Sequence, residues 1–353
     1  MKGIILHGGH GTRLRPLTHT GPKQLLPIAN KPMSEYCIEA IRDCGITDIA
    51  IIIGGVGSNK VKEYYGDGSK FNVKLTYIKQ DEPKGISHAI GLCKDFVNNE
   101  RFLVFLGDNI IQKSISNYAK EFQNSENDAL ILLCEVDDPK RFGIADVKNG
   151  KILKIIEKPK NPPTNLAVTG IYFLTPKIFE IFKRLKPSWR NELEITDALQ
   201  LLLEENNNIS YEMITDYWKD TGTPEDIINA NAQILAHMKP MLEGTCEENV
   251  SLNGNLTLGK NSIIKSNVTI VGPVSIGKNC IIESNTSIGP NASIGDNSII
   301  SSCNIRDSII MSDCHIDGKF NIENSIISSN AQVKLEQKNN KVFLLGEGSK
   351  IQL

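Results

Sequence analysis

Short hydrophobic runs alternate with amphipathic segments over the first two thirds of this 353-residue chain. Five runs have the composition of buried strands: GIIL, DIAIII, KLTYI, FLVFLGD and ALILLCEV. Two segments between them, MSEYCIEAIRDCG and SHAIGLCKDFV, carry apolar residues at helical spacing. Alternating buried strands and helices predict a mostly parallel sheet that is covered on both faces. We therefore expect an α/β fold with a Rossmann-like, mostly parallel mixed sheet.

The last third of the chain has a different period, with one aliphatic residue at every sixth position. The series is Leu252, Leu258, Ile264, Ile270, Ile276, Ile282, Ile288, Ile294 and Ile300. Small and turn-forming residues separate its members, as in VSIGKN, TSIGPN and ASIGDN. One inward aliphatic residue per six, with glycine and asparagine at the corners, is typical of a parallel β-helix with three repeats per coil.

The six-residue register changes after Ile300 and resumes, shifted, at Ile310, Ile316 and Ile322. We expect a loop that interrupts the solenoid at this point. The final segment, KVFLLGEGSKIQL, lacks the repeat and is interpreted as a cap. Together these patterns predict two domains, residues 1–240 and residues 241–353.

Composition and charge exclude several classes of function. The formal net charge of -2 leaves no general basic field for nucleic acid or an anionic membrane surface. No apolar run approaches the roughly 20 residues of a membrane span, and the N-terminus has no signal-peptide layout. Eight cysteines without a CxxC pair suit buried thiols in a reducing compartment better than disulfides or zinc. We expect a cytoplasmic protein with neither nucleic-acid nor membrane partners.

Glycines and cations follow the first predicted strand directly, in GIILHGGHGTRLRPLTHTGPKQLLPIANKP. The dinucleotide fingerprint fails because Leu14 stands where the third glycine should be, and the GK[ST] of a Walker loop is missing. A tight turn would account for the glycines by themselves. Arg13 and Lys23 beside bare backbone N–H groups favour a bound polyanion, and an arginine fork suits a triphosphate in particular.

The segment GGHGTRLRPLT…PKQLLPIANKP resembles the signature of the sugar-phosphate nucleotidylyltransferases. More narrowly, it resembles the long form of the glucose-1-phosphate thymidylyltransferases, which carry a hexapeptide left-handed β-helix. The further segments QDEPKGISHAI, FLGDN, RFGIADV, EKP, VTGIYFL, SWRNELEITDALQ and YWKDTGTPED follow in the order of that family. Two positions depart from it: His7 replaces a usual Ala and could crowd or contact the nucleotide, and Asn191 replaces a usual Gly.

The resemblance implies transfer of a nucleotidyl group from dTTP to glucose 1-phosphate, which yields dTDP-glucose and pyrophosphate. The nucleophile is already an anionic phosphate oxygen, so the protein must supply alignment and charge neutralisation rather than a general base. The resemblance also implies that Asp108 and Asp220 hold one Mg²⁺. Two carboxylates, with phosphate oxygens and water, suit this hard octahedral ion.

The remaining site residues are likewise expected from the resemblance. Arg13 would hold the leaving β- and γ-phosphates, whereas Arg15 is interpreted as a surface or structural residue. Lys23 and Lys158 would neutralise the phosphates at the reacting centre. The expected nucleotide contacts are Gly8, Gly9, Gly11, Thr12, Arg13, Gln24, Gln80 and Gly85. The expected contacts of the sugar phosphate are Gly143, Glu157, Lys158, Gly170, Tyr172 and Arg190.

Three alternatives stay open at the level of sequence. The Gln80 amide offers a donor and an acceptor that match thymine and uracil equally, so a UTP-dependent uridylyltransferase is one of them. A second is an additional acetyltransferase activity in the tail, for which His315 is the only histidine beyond residue 240. The third is a non-catalytic nucleotide-sugar sensor. We also expect a homo-oligomer, in the form of a trimer if the β-helices associate side by side.

Overall fold

The computed structural model of the chain describes residues 1–9, 11–335 and 348–349. The strands before residue 221 are β1 (Lys2–His7), β2 (Pro27–Ile28), β3 (Lys31–Pro32), β4 (Asp48–Ile53), β5 (Lys74–Lys79), β6 (Phe102–Leu106), β7 (Asn109–Ile111), β8 (Ala129–Glu135), β9 (Gly143–Lys148), β10 (Lys151–Glu157), β11 (Leu166–Leu174), β12 (Ile209–Met213) and β13 (Trp218–Asp220). The helices are α1 (Met33–Asp43), α2 (Ser58–Tyr65), α3 (Ile86–Gly91), α4 (Lys94–Val97), α5 (Ser116–Asn124), α6 (Ile178–Phe182), α7 (Ile195–Glu204) and α8 (Pro224–His237). Short 3-10 helices span Thr12–Leu14, Lys23–Leu25, Ser69–Phe71 and Pro139–Arg141.

The later strands are short and evenly spaced. They are β14 (Met241–Leu242), β15 (Thr245–Cys246), β16 (Ser251–Asn253), β17 (Leu256–Leu258), β18 (Ile263–Ile264), β19 (Thr269–Val271), β20 (Val274–Ile276), β21 (Ile281–Ile282), β22 (Ser287–Ile288), β23 (Ala292–Ile294), β24 (Ile299–Ser301), β25 (Asn304–Arg306), β26 (Ile309–Ile310), β27 (His315–Asp317), β28 (Asn321–Glu323), β29 (Ile326–Ile327) and β30 (Gln332–Lys334).

The chain folds into two compact units. The sheet unit consists of Met1–His10, Thr20–Leu25 and Met33–Asp220. The solenoid unit consists of Gly11–His19, Leu26–Pro32 and Thr221–Leu353. Two short segments near the N-terminus therefore group with the C-terminal part of the chain. The predicted domain ranges, 1–240 and 241–353, stay a prediction.

A nine-stranded mixed sheet forms the centre of the sheet unit. Its main path runs β10-β9-β11-β6-β1-β4-β5, with β8 paired to β11 and β12 paired to β8. The strands β6, β1, β4 and β5 are parallel, and β11 is antiparallel to β6. Along β1, Ile4 and Leu6 pack on one face and Ile5 on the other. This alternation buries both faces, as expected for a sheet with helices on each side.

Different helices cover the two faces of this sheet. Ile90 of α3, Phe179 of α6 and Leu199 of α7 belong to the apolar cluster on the first face. Ile38 of α1 and Phe122 of α5 belong to the cluster on the second. The segment SHAIGLCKDFV, which was predicted as one helix, forms the two short helices α3 and α4. They are separated at Leu92–Cys93, directly after a glycine, the weakest helix former apart from proline.

Three parallel sheets form the solenoid, which confirms the predicted fold class: a Rossmann-like mixed sheet followed by a β-helix of the left-handed hexapeptide type. One sheet runs β14-β17-β20-β23-β26-β29, the second β15-β18-β21-β24-β27-β30 and the third β16-β19-β22-β25-β28. Strands in successive coils pair in register, as Ile270 does with Ile288. The ladder members from Leu258 to Ile300 are buried, whereas Leu252 in the third sheet's first strand is 45% exposed.

The prediction of a loop that interrupts the solenoid after Ile300 is wrong. Ile288 pairs with Ile305, and Ile294 pairs with Ile310, so the coils shorten from eighteen residues to seventeen and sixteen without interruption. The corners accommodate the change with Ser302 and Asp307 in the left-handed region, at φ of 59° and 45°. Ile305, five residues after Ile300, is the inward residue that a strict six-residue count misses. The predicted terminal cap lies outside the described residues, apart from Gly348 and Ser349.

The cysteines are all free thiols, and six of the eight are buried. Cys44 is half-buried and Cys246 is exposed. In the part of the chain that the structure describes, no helix has the length and apolar character that crossing a membrane requires.

Candidate active site

The carboxyl ends of the parallel strands β1 and β6 bring the first predicted site residues together. Gly8 and Gly9 follow β1, and Gly9 has a φ of 91°, which favours glycine. Gly107 and Asp108 follow β6, the neighbouring strand. A Cβ on Gly107 would lie 2.9 Å from the Leu6 carbonyl oxygen, so the close approach of the two strand ends requires a glycine there.

Lys23 and Asp108 form an ion pair at this edge. Lys23 Nζ contacts Asp108 Oδ2, and both side chains are mostly buried. Burial alone would raise the pKa of Asp108, but the charge of Lys23 and hydrogen bonds from Lys23 and Asn109 hold that pKa below its ordinary value. Asp108 is therefore an ionised carboxylate beside a cation.

Asn109 organises the neighbourhood of Asp108, a role that the sequence analysis did not assign. Its Nδ2 donates to Asp108 Oδ1 at 3.0 Å. Its Oδ1 accepts from Trp218 Nε1 at 2.8 Å and from the Gly170 backbone N–H at 3.1 Å. A Cβ on Gly170 would lie 2.7 Å from the Asn109 amide, so that position has no room for a side chain. The only sequence signal was the place of Asn109 directly after Asp108 in FLGDN.

Backbone pairing places Asp220, the second predicted metal carboxylate, on the strand alongside the segment that follows Asp108. The strands β7 and β13 pair antiparallel, with Asp220 opposite Asn109. Asp220 on β13 therefore lies opposite the residue that directly follows Asp108. Among residues 1–9, 11–335 and 348–349, no group of three or more His, Cys, Asp or Glu side chains is placed to hold a metal ion. An ion at this pair would need further oxygen ligands.

The glutamines predicted to contact the nucleotide lie on either side of Gly8. Gln24 Nε2 donates to the Gly8 carbonyl at 3.0 Å. Gln80 Oε1 lies 3.9 Å from where a Gly8 Cβ would be. Gln80 Nε2 is 3.0 Å from His88 Nδ1, a partner that sequence reasoning missed although GISHAI places it in the following helix. Both glutamines are buried, so their amides are held in fixed orientations.

Gly85 stands at the start of α3 with a φ of 104°. A Cβ there would lie 2.6 Å from the backbone N and O of Leu193. The Leu193 backbone also bonds to this segment, since its N–H donates to Lys84 O at 2.8 Å and its carbonyl accepts from Ser87 N–H at 3.1 Å. Gly85 is thus required for a close approach of two chain segments.

Glu157, at the end of β10, is surrounded by donors in the predicted sugar pocket. Thr196 Oγ1 donates to Glu157 Oε2 at 3.0 Å, and Arg190 Nη1 donates to Oε1 at 3.3 Å. Lys158 Nζ lies 3.7 Å from Oε1. Burial and the nearby Glu194 raise the pKa of Glu157, against Thr196 and the two cations. Thr196 was not predicted, although it lies within ELEITD, one of the matching segments.

Arg190 links three carboxylates. Besides Glu157, its guanidinium lies 3.4 Å from Glu194 Oε1 and 3.1 Å from Glu192 Oε1.

Lys158 has a φ of 42°, a left-handed conformation that is strained for a residue with a Cβ. Such outliers cluster at functional sites, where the surroundings hold them in place.

Gly143 and Tyr172 complete the predicted sugar contacts. Gly143 pairs with Glu157 across β9 and β10, and a Cβ there would clash with Thr196. Tyr172 is buried on β11. Burial raises the pKa of Tyr172, and the charges of Glu157 and Asp108 add to the shift.

Gly11, Thr12 and Arg13 group with the solenoid unit, whereas Gly8 and Gly9 belong to the sheet unit. Gly11 has a φ of 59°, and its carbonyl accepts a hydrogen bond from Thr18 Oγ1 at 2.8 Å. Thr12 and Arg13 are exposed within the following 3-10 helix, and Arg15 is exposed directly after it.

His7 ends β1 and is only 1% exposed. Neither ring nitrogen has a hydrogen-bond partner among the residues that the structure describes. Burial lowers the pKa of His7 to about 3, although the charge of Asp108 acts in the opposite direction. The imidazole is therefore neutral and packs edge-on to Tyr65, with ring centroids 6.4 Å apart.

Comparison with known proteins identifies the class. The nucleotidyl transferase family matches residues 2–237, and the family described as GMPPB C-terminal domain matches residues 270–352. The chain belongs to the nucleotidyl transferase family and is an enzyme of that class. The predicted family resemblance is thereby confirmed.

Two similar proteins and one solved structure give a finer comparison than the family model does. The chain is 40% identical to Glucose-1-phosphate thymidylyltransferase of Streptomyces antibioticus, over 100% of this chain and 99% of that protein. It is 45% identical to Low-salt glycan biosynthesis nucleotidyltransferase Agl11 of Haloferax volcanii, over 74% of each chain. A solved structure from Bacillus anthracis, designated a glucose-1-phosphate thymidylyltransferase in complex with a sucrose, shares 46% identity at a TM-score of 0.63 and covers 66% of this chain and 94% of its own.

Proposed function

We propose that the protein transfers a thymidylyl group from dTTP to glucose 1-phosphate and releases pyrophosphate. One observation carries the proposal: the Lys23–Asp108 ion pair at the carboxyl edge of the sheet, with Asp220 beside it through the pairing of β7 and β13. Similarity to a thymidylyltransferase over the whole chain supports the choice of substrates.

The proposed reaction is an in-line displacement. An oxygen of the sugar phosphate forms a bond to the α-phosphorus of dTTP, while the bond from that phosphorus to the α,β-bridging oxygen breaks. The electron pair leaves with pyrophosphate, so no proton transfer to a base is needed. Lys23 and Lys158 neutralise the phosphates around the reacting centre, and Arg13 holds the leaving phosphates.

We further propose that Asp108 and Asp220 hold a Mg²⁺ ion. The donor set fits this ion, because Asp108 is held ionised in a buried position and Asp220 lies on the paired strand. When bound, Mg²⁺ supplies positive charge for the phosphate oxygens. Asn109 orients Asp108 through its 3.0 Å hydrogen bond, which makes it a positioning residue for this site.

The remaining residues are assigned to recognition of the base and of the sugar. Gln80 and Gln24 present amide groups for the imide edge of the base, and Gly85 adds backbone groups. Glu157 accepts hydrogen bonds from sugar hydroxyls, and its contact with Thr196 fixes its orientation. Gly143, Gly170 and Tyr172 line the rest of the sugar pocket.

We also propose that the protein works in the cytoplasm as a homo-oligomer assembled through its solenoid. Eight free thiols support a reducing compartment. A parallel β-helix has flat faces along its length, which suit lateral association of identical chains as a trimer.

Pyrophosphate release from a substrate matrix tests the proposal. The matrix sets dTTP, UTP, CTP, GTP and ATP against glucose 1-phosphate, glucosamine 1-phosphate and N-acetylglucosamine 1-phosphate. We expect the highest kcat/KM for dTTP with glucose 1-phosphate. Because one methyl group in an apolar pocket contributes only about 1–3 kcal/mol, we expect UTP to be used more slowly. A higher kcat/KM with UTP, or no turnover of any pair, would overturn the assignment, and acetyl-CoA consumption with glucosamine 1-phosphate would reveal an acetyltransferase tail.

A further inference from the structure

The chain makes a tight hairpin immediately after Lys23 and Gln24. The strands β2 and β3 pair Pro27 with Pro32 and Ile28 with Lys31, which leaves Ala29 and Asn30 as a two-residue turn. Both turn residues have positive φ, 48° and 65° respectively. A turn with two left-handed residues normally carries Asn or Gly at both positions, and an alanine there is strained. The hairpin therefore needs support from its surroundings.

That support comes from the solenoid unit, to which the hairpin belongs. Asn30 Nδ2 lies 2.9 Å from Ile294 O, 3.1 Å from Ser275 Oγ and 3.3 Å from Ser275 O. Those acceptors lie on β20 and β23, which are neighbouring strands of one solenoid sheet. A single side-chain amide thus joins the turn to two successive coils.

Asn231 of α8 supplies the second attachment and is fully buried. Its Oδ1 accepts from the backbone N–H of the strained Ala29 at 2.8 Å and from Ser293 Oγ at 2.9 Å. Its Nδ2 donates to Asn291 O at 3.1 Å. Both ends of this amide are therefore engaged, and they connect the hairpin, α8 and the solenoid in one network.

We propose that Asn30 and Asn231 are positioning residues for the transfer reaction, which makes this inference dependent on the proposed function of Lys23 and Gln24. The hairpin is the direct continuation of the 3-10 helix Lys23–Leu25, and α1 begins at Met33 directly after it. With the hairpin attached to the coils, the segment that carries Lys23 and Gln24 has one end held in place. The attachment of the hairpin therefore bears on the placement of these two side chains through the chain that joins them.

Hydrogen bonds suit this role better than apolar packing would. A buried amide that loses its hydrogen-bond partner destabilises the fold, so the attachment has one preferred geometry. Misplacing a phosphate-binding cation by about 1 Å can reduce the rate by as much as 100-fold. Small movements of the turn are therefore expected to appear in kinetics before they appear in stability.

The variant Asn30→Gly tests the proposal, because glycine accepts the positive φ and only the amide contacts are lost. The matched control is Asn279→Gly, another left-handed asparagine, at a φ of 55°, whose amide donates to Asn297 in the next coil at 3.0 Å. We expect Asn30→Gly to raise the KM for dTTP at least about 10-fold. The KM for glucose 1-phosphate and the thermal midpoint should change no more than in Asn279→Gly.

Hydrogen exchange of the peptide that spans residues 20–32 gives a readout besides activity. We expect faster exchange there in Asn30→Gly and unchanged exchange in Asn279→Gly. Asn30→Asp should be at least as damaging as Asn30→Gly, since a carboxylate cannot donate to the two backbone carbonyls.

Two results would overturn the inference: an unchanged KM for dTTP in Asn30→Gly, or equal changes in the two glycine variants. If the wild-type protein released no pyrophosphate, the proposed function would fail separately. The exchange experiment would then decide the inference, with faster exchange of residues 20–25 supporting it and unchanged exchange refuting it.

Discussion

The side-chain hydrogen bonds of the two units follow different patterns. In the solenoid, an asparagine side chain in one coil donates to an asparagine or aspartate side chain in the next. Asn261 donates to Asn279 at 3.1 Å, Asn279 to Asn297 at 3.0 Å, and Asn297 to Asp313 at 3.0 Å. In the sheet unit, by contrast, the single side chain of Asn109 makes hydrogen bonds to three different groups. One of them is its chain neighbour Asp108, and the other two lie 61 and 109 residues away in sequence.

The two units are therefore sensitive to substitution in different ways. The stability of a repeating structure is the sum of similar interfaces between neighbouring coils. A substitution that disrupts a buried side chain in one coil therefore lowers the stability of the unit. A site assembled from distant segments contributes through geometry, and changing a single group reduces the rate while the fold persists. The predictions below separate these two kinds of loss.

The largest effect is expected from a charge inside the solenoid. Ile276 is 1% exposed, so Ile276→Asp buries a carboxylate and should lower the free energy of unfolding by about 4 kcal/mol or more. The matched control is Leu252→Asp in the same ladder, where the side chain is 45% exposed and little loss is expected. Urea unfolding and subunit number measure both. Retention of the thermal midpoint and subunit number by Ile276→Asp would contradict the assignment of the inward ladder.

A loss of rate with the fold intact is expected from the metal carboxylate. Asp220→Asn should reduce turnover by about 10³-fold, because the amide is a poor ligand for Mg²⁺. Asp216→Asn is the control, since this carboxylate accepts from the exposed Lys113 backbone N–H at 2.8 Å and has no assigned role in the reaction. Pyrophosphate release across a Mg²⁺ titration measures both variants. Full turnover by Asp220→Asn at limiting Mg²⁺ would remove this residue from the mechanism.

Arg13→Ala and Arg15→Ala form a matched pair, since both side chains are exposed and lie two residues apart. Charge develops on the bridging oxygen of the leaving group, so a cation there stabilises the transition state more than the bound substrate. We expect Arg13→Ala to lower kcat by a few hundredfold, or about 3–4 kcal/mol, and Arg15→Ala to lower it only a few-fold. Steady-state kinetics in both directions test the difference. Equal losses, or a larger loss for Arg15→Ala, would reverse the assignment.

The smallest expected effect concerns pH. Burial raises the pKa of Glu157 above its ordinary value of 4.5, so the folded protein holds this proton more tightly than the unfolded chain does. Stability should therefore fall as pH rises from 4.5 through the raised pKa. Glu157→Gln removes this contribution and should flatten that part of the curve of unfolding free energy against pH. An unchanged slope would show that Glu157 is not desolvated.

Some elements could be predicted because their cause lies within a few residues. Uninterrupted hydrophobic runs such as DIAIII form β4, since a strand buried on both faces needs no polar position. The helix broken into α3 and α4 and the shortened coils after Ile300 could not be predicted from periodicity. Apolar spacing does not register the effect of Gly91 on a helix, and a coil can lose one residue at a corner while it keeps the same inward side chains.

The candidate site shows the same division. Asp108, Lys23 and Glu157 could be proposed because they stand in segments that match the ordered motifs of the nucleotidylyltransferase family. Asn109, His88 and Thr196 could not, because an amide, an imidazole or a hydroxyl has many ordinary uses at the surface.

Periodic signals in the sequence were enough to specify the alternation of strands and helices and the six-residue ladder of the solenoid. The sequence also carries the ordered motifs that mark a nucleotidyl transferase. The packed fold was needed to place Asp220 opposite Asn109, to pair Lys23 with Asp108, and to attach the hairpin after Gln24 within the solenoid unit. Repeats act between neighbours along the chain, whereas these contacts join segments tens to hundreds of residues apart, and only the packed fold specifies them.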